Sequence, residues 1–512
     1  MAFITTYWGL DGMIALTVLI ITAYLYMTRK FNYWKKRNVV EVSPMPFWGN
    51  FKECALLKIS PGSLMKDLYT QAKGLPYIGF YIIDEPCLLI RDREMIKNIL
   101  VKDFSYFADR NGSPSPNDRL GFANLFFLKN PAWKILRAKL TPIFTSGKLK
   151  KMFELMIECA KNLETYLESL KVDGAEKEVD MKDLCAKFTT DMIGSTAYGL
   201  NVNSLNNPNA EFRKYGKMIF DYGYIRGFAM LAAFFFPKIT RWANMKTFGK
   251  DSSNFLRQAF WETMTQRIES GVKRNDLIDI LIDLKKNYGH QNIEGFKFDG
   301  DDLVAQAVIF FTGGYETSST TMAFTLYELA LQPEIQDKLR NEILDALNKN
   351  NDTVTYDMVL LLPYLDMVVS EALRIYPTLP FLDRMATETY KMPNSDLIFE
   401  KGTPIYISML GMHVDPEYFP DPDKFDPERF NEENKRNRPS CVYFPFGEGP
   451  RACIGTRLGL LQVKLGLIKI LSKYEVTPSK RTLIPMVLNP KASTTTPLNG
   501  GLYLNIRRIN AN

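Results

Sequence analysis

The sequence predicts a mainly α-helical protein with small β-sheets, carried on a single N-terminal membrane anchor. Three observations predict it. From about residue 93 to 375 the apolar residues recur at helical spacing, as in REMIKNIL, LKKMFELMIECAKNLETYLESL and NDLIDILIDLKK. The β-rich stretches are short: YIGFYII and CLLIR, joined around Asp84-Glu85-Pro86, read as a hairpin, and PLNGGLYLNIRRI reads as a second one near the C-terminus. Residues 3–28 carry one charge, Asp11, over a span of roughly 20 apolar residues, the length that crosses a bilayer.

The flanks of that span give its orientation. Trp8, Tyr24 and Tyr26 suit interface positions. No Lys or Arg precedes it, whereas Arg29, Lys30, Lys35, Lys36 and Arg37 follow, so the positive-inside rule puts the bulk of the chain on the cytoplasmic side. A cleaved signal peptide would carry positive charge before the apolar run and small residues after it. A buried core helix would have an odd sequel in the basic run. Residues 29–50 read as a basic, proline-containing linker, because the prolines of SPMPFWGN stiffen the backbone and forbid a helix. Residues 51–512 read as one domain, with no repeat, low-complexity tract or linker to divide them.

Composition excludes several functions. The net charge of +7 is diffuse over 512 residues and argues against nucleic acid. The six cysteines are scattered without a CxxC pair, so they read as reduced thiols rather than a zinc ribbon or a disulfide scaffold. The two histidines, His290 and His413, rule out a His-rich metal site, and a Ser-His-Asp triad would have to use one of them. Both lie in polar, loop-like sequence and read as solvated.

The chemistry concentrates in FPFGEGPRACIG, Phe444–Gly455. Its spacing is Phe446-x-x-Gly449-x-Arg451-x-Cys453-x-Gly455. A buried thiolate ligating iron needs backbone amides turned toward sulfur, and glycines permit that close approach. A helical stretch, TRLGLLQVKLGLIKIL, starts just after Cys453 and favours negative charge there. Arg451 suits an anionic group of a cofactor. A second motif, FFTGGYETSSTT, sits in a helix expected from Asp302 to Gln332 and spanning about 46 Å. Gly313 and Thr317 share one face of it, and the adjacent Gly313 and Gly314 call for a close approach or a bulge.

The cysteine loop resembles that of cytochrome P-450, the haem-thiolate monooxygenases, and three further stretches match in order: GGYETSS, the EALR pair Glu371 and Arg374 with Arg429 in FDPERF, and Trp133-x-x-x-Arg137. The details resemble the insect microsomal detoxification branch. The resemblance implies the P-450 fold and a haem b cofactor with Cys453 as its metal ligand and Phe446 and Gly455 beside it. Arg451, Trp133, Arg137 and Arg384 would serve the haem propionates. It implies an oxygen-binding groove at Gly313 and Gly314, where the family usually has Ala-Gly, and an acid–alcohol pair, Glu316 and Thr317, that passes protons to dioxygen. Glu371, Arg374 and Arg429 would hold the fold. Phe104, Phe107, Phe122, Phe126, Phe310, Leu379 and Phe381 would line an aromatic pocket for a lipophilic small molecule.

The same resemblance implies a place on the endoplasmic reticulum membrane and electrons from NADPH through NADPH–cytochrome P-450 reductase, and it admits cytochrome b5 as a second donor. No dinucleotide fingerprint occurs in the chain, which fits electrons arriving from a partner. Lys134, Lys139, Lys148 and Lys464 are candidates for docking an acidic partner, or else solvated charges. Two other readings stand beside the monooxygenase. A haem-thiolate isomerase would lack the acid–alcohol pair, and a non-catalytic haem sensor would need neither that pair nor a docking face. The substrate stays open between xenobiotics, such as plant toxins or insecticides, and endogenous hormones or fatty acids.

Overall fold

The computed structural model describes residues 5, 7–172, 174–207 and 209–509. Residues 3, 4 and 6 of the expected anchor and residues 510–512 of the expected domain lie outside the described residues. The elements that position the site are, in chain order, α1 (Trp8–Thr28), β1 (Tyr77–Ile82), β2 (Glu85–Ile90), α2 (Ala132–Leu140), α3 (Ser146–Ser169), β3 (Lys177–Asp180) and α4 (Met181–Ile193). Then come α5 (Glu211–Ile219), α6 (Tyr224–Phe235), α7 (Leu277–Tyr288), α8 (Gly300–Leu331), α9 (Pro363–Ile375), β4 (Phe381–Met385) and β5 (Pro404–Ser408). The last are α10 (Met409–His413), α11 (Thr456–Leu471), β6 (Tyr474–Pro478) and β7 (Tyr503–Arg508).

Helix α1 buries none of its side chains against the rest of the chain. The segment after α1 is not a free tether. Trp34 is buried against Gly79, where an added Cβ would lie 2.6 Å from the indole. The Gly79 amide donates to the Val40 carbonyl, and Val42 donates back to the Gly79 carbonyl. Part of the basic run is spent on acidic neighbours, Arg29 on Asp84 and Lys30 on Glu85.

The predicted hairpin forms, with Tyr77 opposite Ile90. It extends into a sheet of order β1-β2-β5-β4, in which β2 and β5 run parallel. The second expected hairpin does not form. Strand β7 pairs with β6 and β3 instead, because the residues before it turn through Leu498–Gly500 and bring no partner strand.

Helix α8 runs through the centre of the domain and is buried along most of its length. Asp299, not Asp302, caps it, accepting from the Gly300 amide. The Asp302 carboxylate is taken by Arg119 at 2.7 Å and by the Lys297 amide at 2.9 Å. Asp301 and Asp302 still complement the helix dipole in the first turn, and Pro333 prevents continuation past Gln332. The glycine pair leaves the helix unbroken and does two different things. A Cβ on Gly314 would lie 2.3 Å from Ile193 Cδ1, so this glycine lets α4 approach. A Cβ on Gly313 would meet nothing within 4 Å, because that face looks into open space.

Candidate active site

The cysteine loop is wound by backbone contacts. The Gly447 amide donates to the Phe444 carbonyl, and the Cys453 amide to the Phe446 carbonyl, both at 2.8 Å. Gly449 sits at φ +72°, and a Cβ there would come within 1.9 Å of the Leu100 carbonyl oxygen. The position therefore demands glycine for conformation and for space. Cys453 is exposed, but onto an internal cavity rather than bulk water. Burial pushes its thiol pKa up, against the Gly455 amide, the Thr456 hydroxyl and the positive Arg137.

Across the cavity from Cys453 stands α8, with Gly313 and Thr317 on the lining face. The Thr317 hydroxyl donates to the Gly313 carbonyl at 2.5 Å. Glu316, expected beside it, is not in the lining. Its side chain turns instead to the α4 side of the helix. The Glu316 carboxylate pairs with Lys182 of α4 at 3.0 Å, and the ammonium also donates to Ser319 at 2.8 Å. The space between α8 and the cysteine loop measures about 1630 Å³ including the part open to solvent.

One edge of the cavity carries buried guanidiniums. Arg384 gives Asp383 a single bond to its backbone carbonyl, and its Nε has no partner. Arg110 pairs with the Asp383 carboxylate at 2.8 Å and also keeps an unpartnered Nε. Arg451 donates to the carbonyls of Ala108, Phe126 and Leu128, and its guanidinium lies 4.2 Å from the Trp133 ring centroid. Arg137 donates to the Ala452 carbonyl at 2.8 Å. Burial and the neighbouring arginines push Arg384 down to about 9 and Arg451 down to about 8. Positive charge thus exceeds what Asp109 and Asp383 neutralise, and the unpartnered donors call for anionic oxygens from the cavity. Sequence reasoning missed Arg110. Its only signal was an arginine in FADRNG within an otherwise aromatic stretch.

The fold-holding trio assembles. Glu371 pairs with Arg374 at 2.7 Å and lies 3.4 Å from Arg429, with the first two fully buried. The proposed pocket aromatics divide. Phe126, Phe310 and Leu379 line the cavity with Phe446, and Phe144 stacks on Phe310 at 5.6 Å. Phe104 packs instead on Trp133, Phe107 on Tyr390 and Phe399, and Phe381 on Phe235 and Tyr406, each finding an aromatic partner on another element. Phe122 lies under Arg119.

His290 is exposed as expected, but His413 is fully buried: it ends helix α10, which packs it between α9 and the cysteine loop. Of the docking lysines, Lys464 is spent on Asp366 at 3.0 Å, Lys148 on Asn275, and Lys139 lies over Tyr288, which leaves Lys134 exposed. The cysteines are all free.

A planar group, anionic at its edge and taking a thiolate at its centre, answers both halves of this cavity. Haem b is such a group, and the fold and site together define a haem-thiolate protein. The chain belongs to the cytochrome P450 family, whose model matches residues 41–503. It is 45% identical to Cytochrome P450 6k1 of Blattella germanica over 505 residues, covering 96% of both chains. It is 44% identical to Cytochrome P450 6j1 of the same organism, and 41% identical over 510 residues to Probable cytochrome P450 6g2 of Drosophila melanogaster, covering 97% of this chain and 98% of that one. The protein is a haem-dependent monooxygenase of this family.

Proposed function

We propose that this chain is a membrane-anchored monooxygenase that inserts one oxygen atom from O2 into lipophilic xenobiotics, with electrons from NADPH through NADPH–cytochrome P-450 reductase. The observation that carries the substrate class is the apolar part of the cavity wall. Phe126, Phe144, Phe310 and Leu379 give it an apolar, aromatic surface that rewards burial of hydrocarbon and offers few polar groups to fix one particular ligand. The anchor rests on α1, which at 21 residues and 1.5 Å per residue is about 32 Å long. The basic residues after it orient the domain to the cytoplasmic face of the endoplasmic reticulum.

Bound in the cavity, haem supplies the redox chemistry that activates O2, with the thiolate ligand favouring O–O cleavage. The chain's own residues do the rest. Cys453 would supply the thiolate that holds the iron, steadied by the Gly455 amide and Arg137. Arg110, Arg384 and Arg451 hold the anionic edge. Gly313 leaves the cavity face of α8 open, and Thr317 would hold a proton at Oγ1 on that same face. Glu316 sits one position along, held off the cavity by Lys182, so it serves protons only through groups on its own side of α8.

Substrate-binding difference spectroscopy across a lipophilic panel, followed by turnover with reductase, NADPH and labelled O2, tests this reading. Spectral shifts with several unrelated apolar compounds and one labelled oxygen atom in the product are expected. Shifts confined to polar compounds, or product without label, overturn it.

A further inference from the structure

His413 joins two parts of the protein that the mechanism treats separately. Its carbonyl accepts from Arg374 Nη1 at 3.0 Å, which places it on the Glu371–Arg374–Arg429 network. Its Nε2 accepts from the Phe444 amide at 3.1 Å, the first residue of the cysteine loop. From Phe444 the bonds continue: its carbonyl takes the Gly447 amide, and Phe446 in turn takes the Cys453 amide. The ring is also clamped by Tyr443 and Phe444, with centroids 5.2 and 5.5 Å away, and the Tyr443 hydroxyl reaches the Ser370 carbonyl on α9.

We propose that His413 is a positioning residue for the axial cysteine: its neutral imidazole fastens the start of the cysteine loop to the buried ion network, and so fixes where the Cys453 sulfur sits. The proposal rests on the reading of Cys453 as axial ligand.

Chemistry dictates the neutral form. A backbone amide only donates, so Nε2 must be the unprotonated nitrogen and Nδ1 carries the hydrogen. Nδ1 faces the backbone of Leu373 and Arg374 without closing a bond of good geometry. The charged and titratable groups around the ring are Arg374, Arg438, Glu371 and Tyr443. Burial and the two arginines push the imidazole down to about 3, in keeping with an acceptor at every working pH. A hydrophobic ring would fill the same space and lose only the bond to Phe444. That separates packing from positioning.

The test compares His413→Phe with His413→Gln, whose amide oxygen reaches about as far as Nε2. The first readout is the ferrous carbon-monoxide spectrum, where thiolate ligation gives a strongly red-shifted Soret band. Wild type must show that band. If it does not, the reading of Cys453 fails, independently of His413. Given the band, His413→Phe is expected to lose it about tenfold faster under mild denaturant, while His413→Gln stays within about threefold of wild type. The second readout needs no haem: amide exchange in the cofactor-free full-length chain should speed up selectively at Phe444–Cys453 in His413→Phe, with α9 still protected. If His413→Phe gives no folded protein, the exchange of His413→Gln decides alone, its loop staying protected if the acceptor is what counts. Equal persistence of the band in all three proteins, or His413→Gln failing as badly as His413→Phe with melting unchanged, overturns the proposal.

Discussion

Replacing Lys182 by Met exposes how the chain holds Glu316. The pair is 3.0 Å apart, and each side chain is only 6% exposed. Without the ammonium, the carboxylate keeps one weak side-chain contact, from the Thr320 hydroxyl at 3.4 Å. Breaking a buried pair by removing one partner costs about 3–5 kcal/mol, because the remaining charge is stranded. Unfolding entropy of about 2.1 cal/mol/K per residue gives about 1.1 kcal/mol/K for a chain of this length. The apparent melting temperature of Lys182→Met should therefore fall by about 3–5 °C. Glu316→Gln in the same protein removes the stranded charge, and the double variant should recover most of the loss. The assay is thermal unfolding of wild type, both single variants and the double variant, read as a double-mutant cycle with a coupling of about 2 kcal/mol or more. A melting temperature for Lys182→Met within about 1 °C of wild type refutes the reasoning. So does a double variant as unstable as the Lys182 single.

Other outcomes rest on the same geometry. Gly449→Ala puts a Cβ on the Leu100 carbonyl at a left-handed φ, so the red-shifted carbon-monoxide band should be lost, whereas Gly313→Ala, facing open space, should fold normally and weaken binding of bulky lipophiles in difference titrations. Arg384→Leu should raise the melting temperature of the cofactor-free protein at pH 7 and shorten haem retention in transfer to a haem-scavenging globin. The sign comes from the direction of the guanidinium's shift: burial and the neighbouring Arg110 hold its pKa below the ordinary value, so the buried cation costs stability at neutral pH and leucine removes that cost. Thr317→Ala should raise NADPH consumption per product formed, measured with peroxide release. Unchanged coupling would remove Thr317 from proton handling.

What the sequence made legible was what short spacing constrains. The cysteine loop carries its glycines, arginine and cysteine at fixed spacing within a dozen residues, so its pattern can be read from the sequence even though Leu100 and His413 also shape it. Gly313 and Thr317 share a face because helical geometry fixes it. The rest depends on partners far along the chain. Lys182 lies 134 residues from Glu316, and Arg110 lies 273 from Asp383, separations that no periodicity encodes. The same holds for the phenylalanines: Phe107 and Phe381 have the character of pocket residues, yet aromatic partners far along the chain claim them, Tyr390 and Phe399 for the first, Phe235 and Tyr406 for the second. His413 is the sharpest case. A histidine flanked by Val414, Asp415 and Pro416 looks solvated, but Asp415 is spent on Arg91 and Tyr69, and the imidazole finds its own partner in the Phe444 amide. Polar sequence here marks burial rather than surface, since the Asp415 carboxylate and the imidazole Nε2 each have a specific donor waiting. That same satisfaction makes these buried groups candidates for holding the site, because losing one partner strands another.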